Sequence, residues 1–334
     1  MKRIAIIGTG GTISNAGGDP LDYLSYMDVG EVQDVDAVLA SFPLINRLAE
    51  IESVPFAALS SRAMGPQQWV ELRRIVTRTL EREDVDGVVI THGTATLEET
   101  AYFLHLTVPF EKPLVVVGAQ RPAPTVGSDA YPNLVAAIRT AASPAAVGQG
   151  CLVVMNETIH CAREVTKSSN HRLETMQSAW LGPLGWVDPD GSVQLYRSTR
   201  RRHTVDSAFA AAQLWEGAVA TPRIDVAYGY AGADGAEIAA FLDRGTDGIA
   251  VAGLAPAINP YGQERQLERA FDAGVTVVQS SRAGGRAIAR PTRPRLAAVP
   301  TSDNLTVQSA RVLLIVALVA GTARTDLQEV FDTY

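Results

Sequence analysis

The chain of 334 residues is 46% hydrophobic and 19% charged, with a formal net charge of −7 and an isoelectric point near 5.3. This length and composition are typical of a folded protein with more than one core and exclude a disordered chain. Nucleic-acid-binding proteins usually carry a basic face, so the acidic balance argues against that class.

Short β-branched runs alternate with helical patterns through the first half of the chain. Strands are predicted at residues 4–7, 87–91, 114–117 and 152–155, and helices at 66–81, 97–106 and 131–142. Continuous apolar strands separated by helices indicate a parallel sheet that is covered on both faces.

Gly, Pro and Asp then cluster in GPLGWVDPDGS, and a basic run follows at residues 200–203. These features predict a linker over 191–213. The alternation restarts beyond it, with strands predicted at 224–230, 248–253 and 275–280, and helices at 235–244, 263–273, 307–320 and 326–331. The sequence therefore predicts a two-domain α/β protein, with an N-terminal domain at 1–190 and a smaller C-terminal α/β domain at 214–334.

The cysteine spacing, the N-terminal sequence and the longest apolar run indicate the cellular compartment. Cys151 and Cys161 form no CxxC motif and no Cys/His pattern with zinc spacing, so we expect a reducing compartment and no metal site. The N-terminus MKRIAIIG enters a strand directly, without the apolar region of a signal peptide. The longest apolar run, at 312–320, is far shorter than the ~20 residues of a membrane span. A soluble cytoplasmic protein without a membrane partner is expected.

The stretch TGGTI, residues 9–13, follows the first strand and has two possible interpretations. Its glycines would suit a phosphate-binding loop, but it does not match GxGxxG and lacks the Lys of a P-loop. The alternative is that Thr12 is a nucleophile, which needs a base and oxyanion donors elsewhere. Thr94 ends THGT at another strand end, and Lys167 follows a third, so these residues are candidates for that role.

The order of these motifs resembles the bacterial-type L-asparaginase/glutaminase family. TGGTI, THGTATLEETAYFL, GAQRP with SDAYPNL, and AREVTK occur in the family's order, and PRIDV, GADG, SSR and the C-terminal helix extend the resemblance over essentially the whole chain. The resemblance implies a two-domain α/β fold, usually assembled as a homotetramer of intimate dimers, with a small-molecule substrate and no metal or cofactor.

The resemblance also implies roles for individual catalytic residues. Thr12 matches the nucleophile, Thr94 matches the second catalytic threonine, and Lys167 matches the lysine that polarises it. The lid tyrosine that activates Thr12 would be Tyr23 or Tyr26, because both lie in the Gly/Asp-rich loop after TGGTI.

The substrate-binding positions match in part and depart in part. Ser61 matches the serine that holds the substrate's α-carboxylate, and a backbone N–H near Gly11 is expected to bind the oxyanion. The aspartate that grips the α-ammonium is replaced by Ala95, and the glutamine after the binding serine by Arg62. A second possibility is that Glu98 or Glu99 supplies the carboxylate that Ala95 lacks.

Two further departures fall in the second half. Residues 253–259 replace a GNGN-like stretch of the family with a more apolar sequence. Residues 283–300, where the family often supplies a partner glutamate, contain no acid and include Arg286, Arg290, Arg293 and Arg295.

These departures favour a hydrolase with a threonine nucleophile that acts on a small carboxylate-bearing amide, imide, lactone or ester without an α-ammonium group. Losing a carboxylate partner leaves a bound ammonium unpaired, which is costly. A true L-asparaginase/glutaminase is the first alternative, and a non-catalytic protein that binds a small acid is the second.

Overall fold

The computed structural model describes residues 1–288 and 298–334. The chain packs as two units, Met1–Ala210 and Ala211–Tyr334. The boundary between them falls inside the segment 191–213, where the sequence predicts a linker.

Apolar runs of the first half form the centre of an eight-stranded sheet. The strands of the first unit are, in chain order, β1 (Arg3–Gly8), β2 (Glu50–Val54), β3 (Gly87–Thr91), β4 (Leu114–Val117), β5 (Cys151–Met155), β6 (Thr158–Cys161), β7 (Thr166–Lys167), β8 (Met176–Gln177), β9 (Gly185–Val187) and β10 (Val193–Leu195). The sheet order is β10-β9-β6-β5-β4-β3-β1-β2, and β7 with β8 forms a separate two-stranded ladder. Every residue of β3, β4 and β5 is buried, as expected for strands covered on both faces.

The sheet is mixed, because only one side of it is parallel. The strands from β2 to β5 pair in parallel, whereas β5–β6, β6–β9 and β9–β10 pair antiparallel. Only Asn156 and Glu157 separate β5 from β6, and both have positive φ angles of 51° and 60°. A two-residue connection makes a hairpin and is too short for a parallel crossover.

Four strands of this sheet, β2, β6, β9 and β10, escaped prediction, and two of them, β2 and β10, lie at its edges. β2 reads EIESV, and its Glu50 and Glu52 accept hydrogen bonds from Arg3 and Arg82 at 2.5 Å. Charged side chains of this kind are common on edge strands and hide the apolar pattern. β10 lies inside the predicted linker, where its three residues follow the turn at Gly191.

Helices cover this sheet. They are α1 (Tyr26–Val29), α2 (Val35–Ala40), α3 (Pro66–Glu81), α4 (Leu97–Thr107) and α5 (Ala130–Ala142). Asp34 caps α2 by accepting from the Ala37 backbone N–H, and Pro66 occupies the first position of α3, where no N–H is needed. Most residues of α4 and α5 are buried, since both pack on the central strands.

The second unit contains a three-stranded parallel sheet in the order β11-β12-β13, formed by β11 (Ile224–Tyr228), β12 (Gly248–Gly253) and β13 (Thr276–Ser281). Its helices are α6 (Ala236–Asp243), α7 (Tyr261–Asp272), α8 (Val307–Val319) and α9 (Leu327–Thr333). The predicted two-domain α/β fold, with the larger sheet first, is confirmed.

Two of the sequence-based expectations concern this second unit. Arg286 is exposed, and its Nε lies 3.6 Å from Asp303 Oδ1. Arg290, Arg293 and Arg295 lie outside the described residues. In the parts of the chain that the structure describes, no helix combines the length and the apolar character that crossing a membrane requires.

Candidate active site

Two glycine-containing loops leave the same edge of the large sheet. β1 ends at Gly8 and β3 at Thr91, and these two residues are paired in register. Parallel strands place the loops after them side by side, so TGGTI and HGT begin next to each other. The Thr9 backbone N–H donates to Thr91 O at 3.0 Å and fixes that start.

The two loops touch through glycine. Gly11 has a φ of 85°, and a Cβ built on it would lie 2.2 Å from Gly93 Cα. A Cβ on Gly93 would in turn lie 2.7 Å from Ser61 Cβ. Any side chain at either position would separate the loops. Thr12 and Thr94 each follow directly after this contact, which brings the two predicted catalytic threonines to one place.

Tyr26 is the tyrosine that contacts Thr12. Its hydroxyl lies 2.9 Å from Thr12 Oγ1, and its side chain is only 6% exposed. Burial raises the pKa of Tyr26, an effect that the hydrogen bond to Thr12 partly opposes. The phenol is therefore neutral near pH 7 and can both accept and donate a proton.

Tyr23 does not hydrogen-bond to Thr12. It fastens the lid, the loop of residues 14–35 that follows TGGTI, to the loop at residues 121–128. Its hydroxyl donates to Val126 O at 3.0 Å, and the Arg121 guanidinium lies 4.8 Å from the centre of its ring. Val126 N also donates to Pro20 O at 2.9 Å. Of the two tyrosines, Tyr26 is the one that lies within hydrogen-bonding distance of Thr12 Oγ1.

A second hydroxyl is paired with a lysine. Lys167 Nζ donates to Thr94 Oγ1 at 2.5 Å and to Gln120 Oε1 at 3.0 Å. Burial lowers the pKa of Lys167, and Glu98 and Asp129 partly oppose this effect. A partly buried lysine with a lowered pKa releases its proton more readily than an exposed one.

Of the residues that hold this pair, Gln120 and Asp129 were missed as site residues by the sequence analysis, which named Glu98 only as a possible replacement for the lost acid. Glu98 accepts from the Lys167 backbone N–H at 2.7 Å, and Asp129 accepts from the backbone N–H groups of Gln120 and Arg121 at 2.9 to 3.0 Å. Gln120 and Asp129 belong to GAQRP and SDAYPNL, which follow β4. Their position after a strand end was the available signal.

The substrate-binding candidates lie beside these loops. Ser61 packs against Gly93, and its carbonyl accepts from Thr96 Oγ1 at 2.9 Å. Arg62 is exposed, its Nε lies 3.4 Å from Ser60 Oγ, and no carboxylate pairs with it within the described ranges. Ala95 is exposed directly after Thr94. Glu98 is buried, and its Oε2 accepts from the Lys167 backbone N–H at 2.7 Å.

The site contains no metal-binding group. Across residues 1–288 and 298–334, no three or more His, Cys, Asp or Glu side chains are arranged to hold a metal ion.

The fold and the site define a two-domain α/β hydrolase, and comparisons with known proteins identify which kind. The family models "Asparaginase, N-terminal" and "Glutaminase/Asparaginase C-terminal domain" match residues 3–201 and 223–331. The chain belongs to the asparaginase family and is an amidohydrolase.

Relatives of known name match over the full chain. L-asparaginase 2 of Escherichia coli strain K12 is 35% identical over 100% of this chain and 94% of its own length. Glutaminase-asparaginase of Pseudomonas fluorescens biotype A is 33% identical over 100% and 91%. The crystal structure named Probable Cytoplasmic L-asparaginase from Campylobacter jejuni has a TM-score of 0.90 at 33% identity and covers 100% of both chains.

Proposed function

We propose that this asparaginase-family hydrolase acts on a small carboxylate-bearing amide, imide, lactone or ester that lacks an α-ammonium group, with Thr12 as the nucleophile. The observation that carries the proposal is the exposed Ala95 directly after Thr94, where the family pattern has an acid. Without that carboxylate, a substrate ammonium would be desolvated and left unpaired.

The charges beside Ala95 support the same substrate class. Arg62 directly follows Ser61 and places a positive charge there. A guanidinium prefers carboxylate partners and repels an ammonium. Glu98, the nearest acid in the sequence, accepts from the Lys167 backbone amide inside the protein. A substrate with a carboxylate and no amino group fits this balance of charge.

The first half of the proposed reaction uses Thr12 and Tyr26. Thr12 Oγ1 attacks the substrate carbonyl, and its proton passes to the Tyr26 hydroxyl, 2.9 Å away, or to a water. Backbone N–H groups of Thr94 and near Gly11 stabilise the oxyanion. The carbonyl bond to ammonia, an amine or an alcohol then breaks, the leaving group takes up a proton, and an acyl ester on Thr12 remains.

The second half uses Thr94 and Lys167. Neutral Lys167 takes a proton through Thr94 Oγ1 from a water, and that water attacks the ester carbonyl. The ester bond breaks, the protonated Lys167 returns its proton through Thr94 and water to Thr12 Oγ1, and the carboxylic acid product leaves. The lowered pKa of Lys167 supports this role, because it enlarges the neutral fraction of the amine.

A true L-asparaginase/glutaminase is the second candidate, favoured by the names of the relatives. The deciding experiment compares ammonia release from L-asparagine and from succinamate, which is the same amide without the amino group. We expect kcat/KM for succinamate to exceed that for L-asparagine by at least about tenfold. A factor of that size corresponds to the free energy of one charged contact, which L-asparagine would lose at Ala95.

A substitution pair sharpens this test. Ala95→Asp should raise kcat/KM for L-asparagine at least about tenfold and lower it for succinamate. Ala145→Asp is the matched control, since Ala145 is exposed at the opposite, amino edge of the sheet. Efficient turnover of L-asparagine by the unmodified protein, unchanged by Ala95→Asp, would establish the second candidate instead.

We further propose a cytoplasmic homotetramer formed as a dimer of dimers. The name of the Campylobacter jejuni structure supports the compartment, and the family resemblance supports the assembly. Exposed Trp180 and Tyr196 offer apolar contact area. Cell fractionation and light scattering on the purified protein test the two statements separately.

A further inference from the structure

A cavity lies in the first unit and contains none of the proposed catalytic residues. Its volume is about 210 Å³, and it is bordered by the β5–β6 hairpin, by β8 and by the start of β9. Its polar and aromatic lining comes from Asn156, Thr158, His160, Glu174, Gln177, Ser178 and Trp186.

His160 gives this cavity an unsatisfied polar atom. The side chain is 2% exposed, and its Nδ1 lies 2.9 Å from Ser178 Oγ. Its Nε2 has no hydrogen-bond partner within the part of the chain that the structure describes. Burial, together with the charge of Arg197, lowers the pKa of His160 to about 4, so the ring is neutral at physiological pH. A buried polar atom without a partner is unusual in proteins and points to a ligand.

The lining itself favours positive charge. Glu174 contributes the sole formal charge among the described lining residues, and it is negative. Its Oε1 lies 4.0 Å from Nη1 of Arg172, an exposed residue outside the lining. Gln177 donates its Nε2 to Glu174 O at 2.6 Å, which leaves Oε1 as an acceptor. Thr158 Oγ1 likewise donates to Asn156 O at 3.1 Å and keeps its lone pairs. Trp186 also lines the cavity and is 43% exposed, and its ring lies 5.7 Å from that of Tyr196 between centroids. Tryptophan is the side chain that organic cations prefer.

We propose that this cavity binds a small organic ammonium ion, with its N–H groups directed to Glu174 and His160 and its carbon chain against Trp186. The volume is several times the roughly 30 Å³ that a water molecule occupies, so a bare ammonium ion would be held loosely and an alkylammonium fits better. This inference does not depend on the proposed substrate.

The cavity is joined to the catalytic lysine by a short ladder. Met176 and Gln177 line the cavity and form β8. Across the ladder Met176 pairs with Lys167, and Gln177 pairs with Thr166. A ligand that orders β8 therefore also orders the strand that carries Lys167, which makes the cavity an effector site for the catalytic residue.

Calorimetric titration of the full-length protein with n-butylammonium chloride tests the binding. We expect a dissociation constant of about 1 mM, reasonable for five non-hydrogen atoms in a formed pocket. n-Butanol, which lacks the charge, and tetramethylammonium, which lacks N–H donors, should bind at least about tenfold more weakly.

Variants and hydrogen exchange complete the test. Glu174→Gln should weaken n-butylammonium binding at least about tenfold, while Glu111→Gln, at an exposed acid outside the cavity, should leave it unchanged. Amide exchange at 166–167 should slow when the ligand is bound. Absence of binding, or equal binding by the Glu174→Gln variant, overturns the site. Binding without slower exchange overturns the coupling to Lys167.

Discussion

Two threonine hydroxyls of the site have different neighbours, and this difference supports the separate roles proposed for them. Thr12 faces the neutral phenol of Tyr26, whereas Thr94 faces the amine of Lys167. A phenol whose pKa is raised relays a proton without holding a negative charge. An amine whose pKa is lowered is more often neutral, so it can accept a proton and later release it. At the scale of single residues, these neighbours support the roles proposed above: Thr12 as the attacking group, and Thr94 with Lys167 as the pair that activates water.

Removing the Thr12 hydroxyl should abolish turnover while preserving the fold. Thr12→Val keeps the shape of the side chain, so we expect kcat to fall by at least about 1,000-fold because no nucleophile remains. Thr12→Ser, which keeps the hydroxyl, is the control and should retain measurable activity. Steady-state kinetics and circular dichroism check both variants. A Thr12→Val protein that retains its kcat would exclude Thr12 as the nucleophile.

Lys167 should control the pH dependence of the second step. Its pKa is lowered, so the neutral amine accumulates below the ordinary lysine range, and kcat should rise with pH and level off at a lower pH than an unperturbed lysine would set. Lys167→Met should lose this rise and lower kcat at least about 100-fold. Intact-mass spectrometry of that variant with substrate should detect the acylated protein. An unchanged pH profile would assign the base elsewhere.

At the scale of elements, the lid is held in place by contacts at two different points. Tyr26 reaches the site, and Tyr23 fastens the same segment to the loop that begins at Arg121. That loop is held at its start by Asp129, which also orients Gln120. The lid and the lysine pair therefore share one support.

Breaking the Tyr23 contact should impair catalysis indirectly. Tyr23→Leu removes both the hydrogen bond to Val126 and the stacking on Arg121, so we expect kcat/KM to fall about tenfold as Tyr26 loses its fixed position. Tyr23→Phe keeps the stacking and should lose less. Hydrogen exchange over residues 14–35 should quicken in Tyr23→Leu alone. Unchanged exchange in that variant would show that the lid is held by other contacts.

At the scale of the whole molecule, buried histidines make the first unit sensitive to acid. Burial lowers the pKa of His92 and His160 to about 4 and that of His105 well below its ordinary value. The unfolded chain binds these protons near pH 6.5, so the folded state is disfavoured as the pH falls from there toward 4. Each histidine contributes up to roughly 1.4 kcal/mol per pH unit in this range.

Melting temperatures between pH 7.5 and 4.5 measure this loss. We expect little change above pH 7 and a steep fall below pH 6.5. His160→Asn should reduce the steepness, because one proton fewer is bound on unfolding, and replacing the exposed His171 by Gln serves as the control. A melting temperature that stays constant down to pH 4.5 would contradict the prediction.

The sequence by itself determined the elements that have strong apolar patterns. The central strands and the long helices were predicted within one or two residues, since continuous burial leaves an unbroken apolar run. The edge strand β2 was missed, because a strand in contact with solvent carries charges that pair with neighbours distant in sequence. The glycine and threonine motifs likewise identified Thr12, Thr94 and Lys167 as candidates.

Only the tertiary structure decided which side chains meet. Tyr23 and Tyr26 are three residues apart in one lid, and the position of the 121–128 loop separates them. Glu98 appeared available to replace the missing aspartate, but Lys167, distant in sequence, occupies it. The contact between Gln120 and Lys167, and the cavity beside His160, also arise from the order in which the strands lie side by side. Local sequence fixes a residue's conformation, whereas its partners are set by packing between distant segments.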